Sequence, residues 1–292
     1  MTRQDPEIRK EHGFRAFVDA HVHIHGCFSI QDFLSAAAAN FSHHAERFVS
    51  GGEPRYVLCL TESCGVDEFT GLSRLADDKS EAVGTIEAMW RFEHSGDDRC
   101  LIASHPVLGE IEIVAGRQIV TAERLEILAL GSLEKWEDGQ AAADIVESVA
   151  SSGAIPVLPW GFGKWMGRRR RVVEDLIRKF GGGSLYLGDN SGRPSIMTDP
   201  PEFVLAQGFG MRILPGSDPL PFSSEYDRAG SFGFYVDNVS DGESVWTGLR
   251  AILQQENDDI HHFGSLESPL RFLRNQVAMQ YVTRISSRRQ AI

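Results

Sequence analysis

The stretch Phe14–Ile24, FRAFVDAHVHI, closed by His25-Gly26, decides how the rest of the chain is read. It is a β-rich run that ends in alternating histidines. In an extended strand, side chains two apart share a face. His21 and His23 therefore project together, with Asp19 ahead of them and His25 behind. Neutral imidazole is a good ligand for zinc, manganese, iron or nickel, and a carboxylate from a distant strand can complete the sphere. The structural alternative is a pair of partly buried histidines bonded to backbone.

Working outward, Ile30–Val49 has helical spacing and an alanine-rich middle, so the opening unit reads β then α. Arg55–Glu62 (RYVLCLTE) is a nearly continuous apolar run, as expected of a strand buried on both faces, with Glu81–His94 as the helix behind it. Glu110–Leu130 reads as an extended pair turning at Thr121–Arg124. After it, helix and strand alternate: a helix over Gly139–Ser151, strand Ala154–Pro159, helix Arg170–Phe180, strand Ser184–Gly188, helix Pro201–Gln207 and strand Met211–Gly216. Phe232–Val236 follows as a strand, Ser244–Gln255 as a helix, and Pro269–Val282 as an amphipathic C-terminal helix. No long Pro/Ser linker interrupts the chain, so the expectation is a polar arm, 1–13, and one domain, 14–292. Repeated βα units point to an α/β fold, a distorted TIM-like (β/α)7 or (β/α)8 barrel, with an open doubly wound sheet as the alternative.

The 292 residues are 42% hydrophobic and 24% charged, which excludes a disordered or coiled-coil chain. With 29 Lys+Arg against 41 Asp+Glu, the net charge of -12 repels phosphate backbones and anionic membranes. Neither nucleic acid nor a membrane is expected as a partner. No apolar run reaches the roughly 18 residues of a spanning helix, and the N-terminus is polar, so the expected location is cytoplasmic. The four cysteines form no CxxC pair and are expected to be reduced. A homo-oligomer is left open.

In a barrel the site lies at the carboxyl ends of the strands. Those ends carry Thr61-Glu62-Ser63, Trp160 to Trp165, Asp189-Asn190-Ser191 and Ser217-Asp218-Pro219. Asp218 and Glu62 are the candidate carboxylates to join His21 and His23, and either could take a proton from a water activated by the ion. Their structural alternatives are a turn residue for Asp218 and a pair with a nearby arginine for Glu62. The glycine-rich loop before Arg168–Arg171 offers Lys164, and with it Arg168, to an anionic substrate. Asp189 and Arg193 are further candidates for substrate binding, although Asp-Asn-Ser-Gly is also ordinary turn chemistry.

VDAHVHIHG resembles the first motif of the PHP (polymerase and histidinol phosphatase) family of the amidohydrolase superfamily, whose members begin with a strand ending in HxH. RYVLCLTES resembles the family's second strand, usually ending Thr-Asp-His, and LPGSDPLP its closing Ser-Asp-x-His. VAGRQIVTAERLEILALG and AIPVLPWG fall in order between them, so the resemblance runs over about residues 15–222. The departures are many. Glu62 stands for an Asp, Ser63 for a His, Gln118 for a Glu, Glu126 for a His, Trp160 or Pro159 for a His, and Leu220 for the last His. The resemblance implies a metal-dependent hydrolase of phosphoesterase or amidohydrolase type acting on a small anionic molecule. What survives of its ligand set implies one divalent ion (zinc, manganese or iron) on His21, His23, Asp218 and Glu62, or none, with Gln118 facing substrate. The competing expectation is a barrel that has lost catalysis and serves as a ligand-binding or regulatory protein.

Overall fold

The opening run forms strand β1 (Phe14–Val22), buried from Ala16 onward. Helix α1 (Ile30–Ala45) follows, its first turn capped by the Ser29 hydroxyl, which accepts from the Asp32 N–H. The computed structural model describes residues 13–48, 53–78, 89–240, 242–255 and 260–289, with backbone alone from 280 onward. Next come β2 (Arg55–Leu60), α2 (Glu68–Asp77), β3 (Arg91–His94), β4 (Cys100–His105), β5 (Gly109–Val114), β6 (Gly116–Val120) and β7 (Glu126–Leu130). The regular alternation then runs through α3 (Ala142–Ser151), β8 (Ile155–Pro159), α4 (Arg168–Phe180), β9 (Tyr186–Asn190), α5 (Pro201–Gly208) and β10 (Ile213–Gly216). The chain finishes with β11 (Gly233–Val239), α6 (Val245–Leu253), β12 (His261–Phe263) and α7 (Pro269–Arg289).

The expected closed barrel does not form. The described strands make two mixed sheets, one of seven strands in the order β12-β11-β1-β2-β5-β4-β3 and one of five in the order β10-β9-β8-β7-β6. A (β/α) barrel needs parallel strands joined by helical crossovers and staggered in one continuous register. Here β3, β4 and β5 form an antiparallel meander, and β6 pairs antiparallel with β7. Between residues 91 and 130 the chain therefore turns back on itself with no helix to carry it to a parallel neighbour. The Glu110–Leu130 stretch, read as one extended pair, is three strands, and the helix expected over Glu81–His94 ends in strand β3. Residues 81–88 of that helix and the N-terminal arm, 1–12, lie outside the described residues.

Three apolar clusters hold the layers together. Ala16, Val18 and Ala20 of β1 pack with Leu128, Val157, Tyr186 and Trp246 between the sheets. Phe17 packs on the outer side with Phe33, Leu34 and Phe41 of α1, and Val146, Val173 and Phe203 of α3, α4 and α5 cover the five-stranded sheet. At roughly 1.5–3 kcal/mol for each large side chain, this burial fixes where the strands end. Although no ladder joins β1 to β10, the two run side by side. A Cβ on Gly216 would lie 2.2 Å from the His21 backbone nitrogen, so the approach requires glycine.

Candidate metal centre

Asp19, fully buried in β1, ties this junction together. One of its carboxylate oxygens accepts from the Ser217 N–H at 2.8 Å and the other from the Gly230 N–H at 2.8 Å. Burial raises its pKa to about 6 even against these hydrogen bonds. The Asp218 N–H donates to the His21 carbonyl at 2.8 Å, and Asp218 sits in the left-handed region at φ 48°. The strand-end turn is thereby fixed so that the Asp218 carboxylate points back at the first strand.

There the predicted triad meets. His21 Nε2 lies 3.1 Å from His23 Nε2, and each stands 3.6 Å from Asp218 Oδ1. Gln118 Oε1, on β6, is 3.2 Å from His21 Nε2 and makes a fourth donor available, the second oxygen of the set. Around a tetrahedral ion with bonds of about 2.0–2.1 Å, neighbouring donors stand about 3.3–3.4 Å apart, and the observed spacings bracket that value. Burial, aided by the neighbouring His21, lowers the His23 pKa to about 3, so its lone pair is free at neutral pH. Burial works against the Asp218 charge, but His21, His23 and Lys164 outweigh it and hold the carboxyl below its usual range. Among the described residues, His21, His23 and Asp218 are the one group of three or more His, Cys, Asp or Glu side chains that converges as a metal site would. The donor set fits a divalent ion.

The remaining candidates fall in different places. Glu62 does not join the triad. Its Oε2 is 2.5 Å from Arg117 Nη1 and its Oε1 accepts from the Phe69 N–H at 2.7 Å. This is the arginine pairing weighed from sequence, and burial raises the Glu62 pKa in spite of it. Asp189 and Arg193 grip each other in a buried bidentate pair, with contacts of 2.8 and 3.1 Å, and Asp199 adds a third contact at 2.9 Å. Lys164 pairs with Glu126 beside the cavity that contains Asp218. Arg168 is exposed on the first turn of α4, and His25 Nε2 sits 2.9 Å from the Pro219 carbonyl.

Sequence reasoning missed Asn190. Its Nδ2 donates to Asp218 Oδ2 at 3.1 Å and to the Trp160 carbonyl at 3.0 Å, which orients the carboxylate. The signal was present, since Asn190 ends a strand next to the conspicuous glycine loop in space, but Asp-Asn-Ser-Gly reads as a turn. Arg228 and α7, which also line the Asp218 cavity, carried no signal at all.

No protein-family model matches the chain, and no curated protein matches its sequence. Solved structures similar to it include PsfC from Pseudomonas syringae, at 17% identity and a TM-score of 0.52 over 94% of this chain and 99% of that one. That likeness is one of fold. Similar too are the lesion-specific endonuclease EndoQ from Pyrococcus furiosus (12% identity, TM-score 0.48, 85% of this chain) and a two-domain protein from Bacteroides vulgatus containing a predicted PHP-like metal-dependent phosphoesterase (13%, 0.41, 86%). This chain spans 58% and 65% of those two proteins. Endonuclease Q has also been solved with a 27-mer duplex substrate. The exclusion of nucleic acid drawn from net charge does not stand, because a charge of -12 averages the whole surface and says nothing of the field at one cleft. No helix among the described residues is long and apolar enough to cross a membrane.

Proposed function

We propose that the chain is a metal-dependent hydrolase that cleaves a phosphate ester of a small anionic molecule, with one divalent ion held by His21, His23 and Asp218. The observation that carries this reading is the convergence of two imidazole nitrogens and one carboxylate oxygen at 3.1, 3.6 and 3.6 Å. An ion bound there supplies Lewis acidity, which polarises the phosphoryl oxygen and brings the pKa of water down to about 7.

The chain's own residues do the rest. His23, neutral through burial, keeps its lone pair for binding. Asp218 offers Oδ1 to the binding group, while Asn190 holds Oδ2, the oxygen positioned to receive the water's proton. Gln118 fixes the ring of His21 and faces the neighbouring cavity. Lys164, beside Asp218, presents positive charge to the anionic substrate. The pairing of Glu62 with Arg117 removes one carboxylate from the ligand set expected from sequence, which supports a single ion over a cluster.

The test is elemental analysis of protein purified without chelator, followed by hydrolysis of aryl phosphates with and without added zinc or manganese. About one equivalent of metal, lost in His21→Ala and His23→Ala together with metal-dependent hydrolysis, is the expected result. Wild-type protein that retains no metal and hydrolyses nothing on metal addition overturns the proposal in favour of a binding protein.

A further inference from the structure

Among the described side chains that line the cavity containing Asp218, one alone carries a proton that it can surrender to an oxygen and recover. Arg228 lines it too, but a guanidinium does not give up its proton in a protein. Asn190, Asn275 and Gln276 bring amides and Trp160 an indole, none of them an acid. The carboxylates Glu126, Glu225 and Glu267 each face a cation and accept from it. No histidine, tyrosine or cysteine is among the described lining residues. That leaves Lys164, an ammonium with three N–H groups.

Its place is set by the backbone around it. Asn190 Nδ2 donates to Asp218 Oδ2 at 3.1 Å and to the Trp160 carbonyl at 3.0 Å, which ties the start of the glycine loop to the metal-donor carboxylate. From there the Lys164 N–H closes a turn on the Gly161 carbonyl at 2.9 Å, with Gly163 at φ 71°. The Lys164 stem folds back over Gly161, where a Cβ would lie 2.7 Å from Lys164 Cδ. Glu126, the first residue of β7, takes one contact from the ammonium, and that contact uses one of its three N–H groups. Burial opposes the Asp218 charge, and Lys164 is near enough to join His21 and His23 in holding that carboxyl below its usual range.

Ester hydrolysis at the ion creates a need that this lysine meets. As the P–O bond breaks, its electron pair goes to the departing oxygen, and an alkoxide leaves poorly until it is protonated. Resting on the reading of the site as a metal-dependent phosphoesterase, we propose that Lys164 is the general acid of the reaction and that Glu126 positions it. Water adds its hydroxyl to phosphorus and gives its proton to Asp218. Lys164 Nζ gives a proton to the leaving oxygen, which departs as an alcohol. The amine left behind recovers the proton of Asp218 through solvent, so the protein ends as it began.

The test compares two substrates of full-length, metal-loaded protein: dinitrophenyl phosphate, whose leaving oxygen needs no proton, and phenyl phosphate, whose leaving oxygen does. Lys164→Met should lower kcat for phenyl phosphate by about 10²-fold or more and leave kcat for dinitrophenyl phosphate within about tenfold. Lys164→Arg keeps the charge but cannot release a proton, so it should lose as much on phenyl phosphate as Lys164→Met. Glu126→Gln should lose about tenfold in kcat on phenyl phosphate alone, with KM unchanged. Bound metal should stay at about one equivalent in all three, since none of them alters a donor of the triad. Equal losses on the two esters, or recovery of phenyl phosphate hydrolysis in Lys164→Arg, would reduce Lys164 to a source of charge and overturn the proposal, with the metal reading left standing. Full phenyl phosphate turnover in Glu126→Gln would overturn the part given to Glu126. Should Lys164→Met melt early, Lys164→Arg decides the matter, because it retains a cation opposite Glu126. Wild-type protein that retains no metal and hydrolyses neither ester with added zinc or manganese overturns the metal reading and the proposal with it.

Discussion

The ends of β1 and β2 lie side by side, and each carries buried polar groups that meet residues far away in sequence. At the end of β2, Glu62 is satisfied from within: Arg117 neutralises it at 2.5 Å, the Phe69 N–H donates to it at 2.7 Å, and Arg117 passes the chain of charge to Asp67 and thence to Lys135. At the end of β1, two imidazole nitrogens face each other with a carboxylate beside them and no guanidinium or ammonium among them. Buried polar groups are normally paired, so the first cluster reads as architecture and the second as a set of donors that a cation would pair. The difference lies in what completes each group, since both contain a carboxylate and both are placed at strand ends.

Breaking the β1 side should have the largest effect. His23→Ala is expected to lower bound metal from about one equivalent to a trace, by elemental analysis, and metal-dependent hydrolysis by about 10³-fold or more. A full metal complement in that variant would remove the contrast between the two clusters.

On the β2 side the expected damage is to stability. Arg117→Met leaves Glu62 as an uncompensated buried charge and should cost about 3–5 kcal/mol, read from the denaturant midpoint, whereas Glu62→Gln/Arg117→Met should recover most of that loss. Metal content should stay at one equivalent in the double variant. A rise to two in Arg117→Met would mean that Glu62 is a ligand position with its cation replaced, and would blur the distinction.

A smaller effect is expected from Asn190→Ala, which frees Asp218 Oδ2. Loss of an outer hydrogen bond to a metal ligand typically weakens binding by about 10–100-fold, measurable by competition with a chromogenic chelator. The smallest effect concerns Asp67. Burial pushes its carboxyl up, but bonds from Lys135, Thr70 and Arg117 prevail and bring it from 3.8 to about 2. Because the folded-state value is depressed, its stabilisation is present above pH 3.8 and is lost as pH falls toward 2. The side chain is 37% exposed, so Asp67→Asn should cost under about 1 kcal/mol at neutral pH, with the gap to wild type closing through that window in acid melts.

Period-two alternation made the first strand and its paired histidines legible, because that pattern is set locally. Asp218 was legible as a strand-end acid, and Glu62 was correctly given an arginine as one of two readings. The arrangement in two mixed sheets was not, because hairpin and crossover are distinguished by which strand the chain pairs with next. Glu110–Leu130 reads as two strands turning at Thr121–Arg124, and the third is apparent only once Gly116 is placed against the Leu60 carbonyl. Asn190 and α7 escaped for a related reason. The asparagine acquires its role only when β9 and β10 bring it to Asp218, and α7 reaches the cavity through Phe272 against Phe162 and Arg271 on Glu225 and Glu267.

The absence of a side chain at Gly216 has one more consequence. Where two strands are spaced by interlocking side chains, the gap drifts as those side chains change over generations or swap rotamers in heat. Here peptide touches peptide and the Asp218 N–H donates to the His21 carbonyl at 2.8 Å, so the span between His21 and Asp218 is gauged by backbone contact rather than by side-chain packing. The aperture of the centre should stay constant in width while its walls diversify, which leaves selectivity for substrate free to evolve independently of affinity for the ion.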